Sequence, residues 1–196
     1  MPSALEEKQI SKINLFIDLA IKFNRTHNIF SRKTNDEVFK KDIIDCKPIL
    51  NHIPTNHSVL DLGSGGGFPG LLISIMMPDN KITLVESSSK KCYFLRTVVD
   101  KLLLENTTIL NERIIENNEI GPFDIITARA FAKTKKILEL TKKNTKKDSK
   151  YILLKGKEET IIEELKDIDK NLYMYEIIKL ELRPEERNII LLKRNE

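Results

Sequence analysis

The sequence predicts an α/β fold: a mostly parallel seven-stranded sheet with helices on both faces, preceded by a helical cap. Three observations carry this. The stretch Val59-Leu60-Asp61-Leu62-Gly63-Ser64-Gly65-Gly66-Gly67-Phe68-Pro69-Gly70 runs from apolar residues into a carboxylate, then into closely spaced glycines and a proline. That is the pattern of a buried strand, a tight turn and a helix start. From Ser58 onward, β-rich runs alternate with amphipathic ones, and such alternation builds a parallel sheet. Ahead of Ser58 the apolar spacing is helical.

The elements follow in order. Leu5, Ile10, Ile13, Ile17, Ala20 and Ile21, with Phe16 and Phe23 beside them, mark an amphipathic helix over 4–24. A second helix spans 36–50, with Asn35 or Asp36 as its cap and Pro48 and Pro54 around its exit. These two form a cap, residues 1–57, on a main domain of residues 58–196 within one globular unit. Strand 58–62 leads into helix 69–77, where Pro69 suits the first helical position because its missing N–H costs nothing there. Strand 81–86 leads into helix 88–103, whose stripe is Cys92, Leu95, Val98, Val99, Leu102 and Leu103. Strands at 107–111 and 123–128, a helix at 132–142, a strand at 151–154, a helix at 157–170 and strands at 173–181 and 187–194 complete the chain.

In such sheets ligands bind at the carboxyl ends of the strands, near the point where strand order reverses. Asp61, Glu86, the segment after Asn111 and Arg129 all fall on that edge. The glycines let a ligand lie against bare backbone, so a nucleoside-containing cofactor is expected. Gly65-x-Gly67-x-x-Gly70 matches a dinucleotide fingerprint, with Glu86 as a ribose-binding acid. The overlapping Asp61-x-Gly63-x-Gly65-x-Gly67 favours S-adenosylmethionine instead, because a carboxylate suits a sulfonium and an ammonium better than a pyrophosphate. A purely structural glycine turn is the third reading. Glu86 can accept both ribose hydroxyls. Arg129, in Thr127-Ala128-Arg129-Ala130-Phe131-Ala132, can hold a cofactor carboxylate or a substrate phosphate, or form a structural ion pair. Lys155, before Gly156, is expected to aim into the cleft.

Charge is unevenly distributed. Between Lys133 and Lys157 ten lysines face only Glu139 and Asp148, a local charge of +8 in a chain of net +4. Such a block suits a polyanion, most plainly nucleic acid. Lys133, Lys135, Lys136, Lys142, Lys143, Lys146 and Lys147, with Arg25, Arg32 and Lys33, are the candidate phosphate contacts. No apolar run approaches the roughly 18 residues of a membrane span, and Met1–Glu7 has no basic-then-apolar signal pattern, so a cytoplasmic location is expected. Cys46 and Cys92, with His27, His52 and His57, lack metal-ligand spacing, so no metal site is expected.

LDLGSGGGFPG, LVESSSKKCYFLR, ITARAFA and ILLKGK, in this order across about residues 10–160, resemble the GidB/RsmG family of small-subunit ribosomal RNA methyltransferases. Phe23-Asn24-Arg25…Asn28-Ile29 resembles that family's cap, where a Trp-Asn pair is commoner. The resemblance implies a Rossmann-like class I S-adenosylmethionine-dependent fold. It also implies methylation of N7 of a guanine in the 530 loop of 16S rRNA, with the 30S subunit as partner; a monomer is expected, though the sequence itself does not reveal the oligomeric state. Carried over, Gly63 and Phe68 contact the cofactor and Glu86 holds its ribose, with Ile114-Ile115 as a further contacting pair; Asp61, Gly65 and Gly67 join them as cofactor-binding candidates from the glycine motif itself. Arg129 lies at the methyl-transfer site and Lys155 beside it. The chain departs from the family where Ile115 replaces an acid, with Glu116 next, and where Lys-rich 142–150 replaces a Pro-Gly turn. A small-molecule methyltransferase with a closed apolar pocket and a non-catalytic RNA-binding protein are the rival readings. The basic block opposes the first and the intact Asp61, glycine turn and Glu86 oppose the second.

Overall fold

The computed structural model describes residues 4–180 and 186–195; Met1–Ser3, the side chain of Leu5 and residue 181 of the expected 173–181 strand lie outside the described residues. Helix α1 (Ala4–His27) turns Ile13, Phe16, Ile17, Ala20 and Ile21 inward. Ile10, expected on this stripe, faces solvent. The stripe passes through Gln9 instead, whose amide donates to the Met76 carbonyl at 3.0 Å. The second helical region is broken into α2 (Asn35–Val38), a π-helical turn (Phe39–Ile43), α3 (Ile44–Cys46) and a 3-10 turn (Lys47–His52). Its cap is Thr34, not Asn35 or Asp36: the Thr34 hydroxyl accepts the Glu37 N–H at 3.2 Å, and Glu37 accepts the Lys33 N–H.

The core frame is β1 (Ser58–Leu62), α4 (Gly70–Met76), β2 (Lys81–Val85), α5 (Ser89–Leu102), β3 (Thr107–Leu110), β4 (Phe123–Arg129), α6 (Thr134–Thr141), β5 (Thr145–Lys155), α7 (Glu158–Leu165), β6 (Tyr173–Leu180) and β7 (Arg187–Arg194). All seven strands form one sheet in the order β3-β2-β1-β4-β5-β7-β6. β7 alone runs against the others, pairing antiparallel with both β5 and β6. Strand order reverses between β1 and β4, which puts the switch point at their carboxyl ends.

Alternation along β1 divides the core. Val59 joins the cap, α4 and α5 on one face, while Leu60 and Leu62 join α6 and α7 on the other. The cap shares the first layer: Phe16 of α1 lies 4.8 Å from the Phe68 ring and 6.5 Å from Phe94, centroid to centroid. Pro69 is the residue before the first turn of α4 rather than inside it. β5 begins at Thr145, six residues before the expected 151, so the lysine stretch after Lys142–Asn144 is strand and not loop. Thr145 is anchored opposite Phe123 of β4, the residues after it bulge out, and regular pairing with both β4 and β7 resumes at Lys150.

Candidate active site

The turn after β1 is held from beneath. Gly63, Gly65 and Gly67 have φ of +65°, +54° and +92°, a region that side-chain-bearing residues rarely adopt. The Gly63 and Ser64 N–H groups donate to the Val85 carbonyl at 2.9 and 3.1 Å. The Gly65 N–H donates to Glu86 Oε2 at 3.0 Å, while Glu86 Oε1 accepts the Ser88 N–H at 2.8 Å. Glu86 thus spends part of its accepting capacity on the turn. A carboxylate has about four lone-pair sites, so capacity for a hydroxyl is left.

Asp61 does not face the cleft as its place in the motif suggests. Its side chain is fully buried beneath the turn; Oδ2 accepts the Gly70 N–H at 3.1 Å and Oδ1 has no partner. Burial pushes the carboxyl up to about 7, against the pull of the Gly70 amide and Arg129. This arrangement tests the cofactor choice. A dinucleotide pyrophosphate needs the free amides of a helix N-terminus, and here a carboxylate already occupies the Gly70 amide. An orphaned buried acceptor beside bare glycine backbone fits a cationic ligand group instead.

Beside this turn opens a cleft of about 600 Å³, lined by the glycine turn, Phe68, Arg129 and Phe131, with Arg32, Lys155, Glu164 and Arg187 among its charged walls. The Phe131 ring occupies the space a side chain on Gly63 would need. Phe68 is buried between Phe16 and Arg129, whose guanidinium carbon stands 5.4 Å from the ring centroid. Arg129, at the end of β4, is an ion-paired residue: Nη2 meets Asp42 Oδ1 at 2.7 Å and Nη1 donates to the Lys41 carbonyl at 3.4 Å. Lys155 lines the cleft, and its Nζ is engaged there by two other wall residues, Glu164 at 2.7 Å and the Ala132 carbonyl at 2.8 Å. Glu164 also accepts the Thr134 N–H and hydroxyl, so Lys155 ties the loop after β4 onto α7.

Other expected residues stand apart. Ile114 is buried in the second core layer, Ile115 is 53 % exposed, and Glu116 pairs with Lys136 at 2.8 Å, so neither acid nor isoleucines line this cleft. The basic block is not one patch. Lys133 stands at the cleft edge, but α6 carries the chain back to the far side of the sheet, where Lys142, Lys143, Lys146 and Lys147 lie. From Thr145 opposite Phe123 to Leu154 opposite Arg129, β5 separates the two ends by about 20 Å. Lys143 pairs with Glu119 and Lys146 with Asp124; Lys135, Lys142 and Lys147 are exposed, as is Arg25 on α1.

Sequence reasoning missed Asp42, Asp45, Phe131 and Arg187. Asp42 and Asp45 come from the π turn and α3, and Arg187 pairs with Asp45 at 3.2 Å. Arg32 was marked only as a phosphate contact, yet it is bidentate on Asp42, at 2.9 and 3.2 Å. Nothing local distinguishes Asp42 or Asp45 from surface acids in a helix; only the π turn buries them. Asn24 is the one cap residue with a local signal. It accepts the Ile29 and Phe30 N–H groups and donates to the Phe30 and Arg32 carbonyls, fixing the loop that bears Arg32.

The family model for GidB, rRNA small subunit methyltransferase G, matches residues 9–190. The chain belongs to the GidB family. Among its curated relatives, the ribosomal RNA small subunit methyltransferase G of Brachyspira hyodysenteriae is 38 % identical over 190 residues, 96 % of this chain and 92 % of that protein. The Mycoplasma capricolum protein of the same name is 38 % identical over 176 residues, covering 87 % and 76 %. Solved structures share the fold: a SAM-dependent methyltransferase from Aquifex aeolicus has a TM-score of 0.62 at 17 % identity, over 80 % of this chain and 97 % of that one. The tRNA methyltransferase TrmK of B. subtilis has a TM-score of 0.63 at 17 % identity, over 78 % and 66 %. This GidB-family chain therefore has the class I methyltransferase fold that its motifs imply.

Proposed function

We propose that this GidB-family protein transfers a methyl group from S-adenosylmethionine to N7 of a guanine in the 530 loop of 16S rRNA, acting on the small ribosomal subunit in the cytoplasm. The observation that carries the reading is the end-to-end family match together with an arginine-walled cleft opening beside the glycine turn. The cofactor, when bound, supplies an electrophilic methyl group on a sulfonium. Gly65 offers its bare backbone to it, Glu86 offers its remaining lone pairs to the ribose, and Asp61, buried beneath the turn, lends negative charge from below to a cationic group. Asp61 and Glu86 hold no proton in transit.

Guanine N7 carries an available lone pair, so the reaction needs no general base. The cleft fits this: among its described lining residues there is no histidine. The protein's part is alignment of N7 with the methyl carbon, which is worth several orders of magnitude in rate. N7 lies on the major-groove edge, which A-form RNA hides, so the target is a loop or unstacked base. Phe131, 37 % exposed beside Gly63, is placed to stack on such a base. Arg129 donates to the base O6 or to a phosphate, while Lys155 holds the Phe131 loop in place rather than touching substrate.

The test is methyl transfer from labelled S-adenosylmethionine to 30S subunits lacking the modification, with naked 16S rRNA, tRNA and small-molecule acceptors alongside. Label on one guanine N7 in the 530 loop is the expected outcome. Cofactor binding with no label on any RNA would return the substrate to small molecules. Arg129→Ala should bind cofactor and fold, yet lose about tenfold or more in turnover, as expected for a lost charge-assisted hydrogen bond. Wild-type turnover in that variant would remove Arg129 from the site.

A further inference from the structure

Beside the Asp45–Arg187 pair, the cleft wall holds a larger ionic unit, built on Asp42, whose role in the reaction is unassigned. Asp42, on the π turn of the cap, is 3 % exposed and lies under two arginines from different parts of the chain. Oδ2 accepts Arg32 Nε at 2.9 Å; Oδ1 accepts Arg32 Nη2 at 3.2 Å and Arg129 Nη2 at 2.7 Å. Both arginines line the cleft, and their side chains are about a quarter exposed, 23 % and 24 %. Asp42 is therefore the fixed member and the arginines are the faces presented to substrate. A π turn inside a helical segment is a common device for placing a functional group, since the widened turn swings one side chain out of the helix's regular row.

We infer that Asp42 is a positioning residue for methyl transfer: it fixes the Arg129 guanidinium at the cleft wall and neutralises it. The inference rests on the guanine-N7 reading above. In that reaction the N7 lone pair forms the new N–C bond as the S–C bond breaks. Positive charge leaves the sulfur and appears on the guanine ring, and no proton moves. An unpaired arginine beside the ring raises the energy of that charge; an arginine paired to a buried carboxylate does so far less. Pairing does not remove the donors. A guanidinium has five N–H groups, and Asp42 and the Lys41 carbonyl engage one each from Nη2 and Nη1. Arg129 can still donate to a guanine oxygen while carrying little net charge towards it. Arg32 leaves the three-residue unit at +1, which suits an RNA phosphate at the cleft rim.

The pairing makes opposite demands on binding and turnover, which a merely structural role does not. Asp42→Asn keeps the shape and raises the unit to +2. RNA affinity should hold or tighten, because added positive charge strengthens phosphate attraction, so KM for the RNA stays level or falls. Turnover should fall by about tenfold or more as charge on the ring is opposed. Asp42→Glu should recover part of kcat. The double variant Asp42→Asn with Arg32→Gln returns the unit to +1 and leaves no surplus guanidinium; its KM should match the wild type while kcat stays low, because Arg129 itself is still unpaired. Calorimetric cofactor affinity and Tm are read for every variant. Wild-type kcat in Asp42→Asn, or recovery of kcat in the double variant, would overturn the inference and leave the proposed activity standing. A joint loss of cofactor affinity, Tm and RNA affinity would also overturn it, since that is packing. Absence of any label on rRNA from the wild-type chain would bring down the activity and this inference together.

Discussion

Asp61 shows how one side chain serves fold and ligand with opposing needs. Its carboxyl, raised from an ordinary 3.8 to about 7 by burial, is favoured by folding in its protonated form. The resulting stability is fully present below about pH 4 and is lost as pH rises to about 7, because the folded value lies above the unfolded one. A cationic ligand group needs the ionised form. Cofactor affinity should therefore weaken as pH falls through about 7 while the free protein becomes more stable, a crossing that calorimetry and denaturant unfolding at several pH values would show. Asp61→Asn should flatten the stability profile between pH 4 and 8 and lower cofactor affinity by about ten- to a hundredfold, the loss of one charge-assisted hydrogen bond. An unchanged pH profile of cofactor affinity would mean that Asp61 serves only α4. The motif marked Asp61 and Glu86 as acids at or near the ends of β1 and β2. It did not reveal that both are bound to backbone amides of the same turn, since that depends on how the turn folds back over β2.

At the scale of elements, the legible part was what local chemistry decides. The seven strands, the glycine turn and the amphipathic helices follow from period and punctuation; most are found near their expected places, the start of β5, the end of α7 and the broken 35–52 region excepted. Gly70 is a case where the local pattern also predicts a cost. A Cβ there would overlap the Leu84 side chain and the Asp61 carboxylate. Gly70→Ala should cost about 1–3 kcal/mol, the usual range for overpacking, and should weaken cofactor binding by pushing Asp61 off the Gly70 amide; thermal unfolding with and without cofactor measures both. What was illegible is set by contacts distant in sequence. The break of the 35–52 region into α, π and 3-10 turns accompanies the burial of Asp42 and Asp45 against Arg129 at the end of β4 and Arg187 at the start of β7, both distant in sequence, the second by 142 residues. The early start of β5 follows from one pairing with β4, Thr145 opposite Phe123, across a bulge that the lysines do not announce.

The whole molecule separates two basic regions that the chain writes as one. The carboxyl edge of the sheet carries Arg32, Arg129 and Arg187 on the cleft wall, with Lys133 next to the lining Ala132, whereas Lys142, Lys143, Lys146 and Lys147 sit at the opposite edge, partly neutralised by Glu119 and Asp124. A loop entering the cleft meets the first set at once. It reaches the second only if the surrounding RNA wraps along α6, whose exposed Lys135 and Lys136 bridge the two edges. The two sets therefore contribute differently to binding. With a short RNA hairpin as ligand, replacing the four far-edge lysines by glutamine should leave affinity and its salt slope nearly unchanged, whereas with whole 30S subunits the same variant should lose affinity and flatten the slope. Each phosphate contact removed lowers the slope of log K against log salt by about 0.7–0.9. Neutralising Lys133 should weaken both ligands alike. Equal losses on hairpin and subunit for the far-edge variant would show that the RNA lies across the α6 face even when short, and no salt dependence on either ligand would remove the lysines from RNA contact altogether.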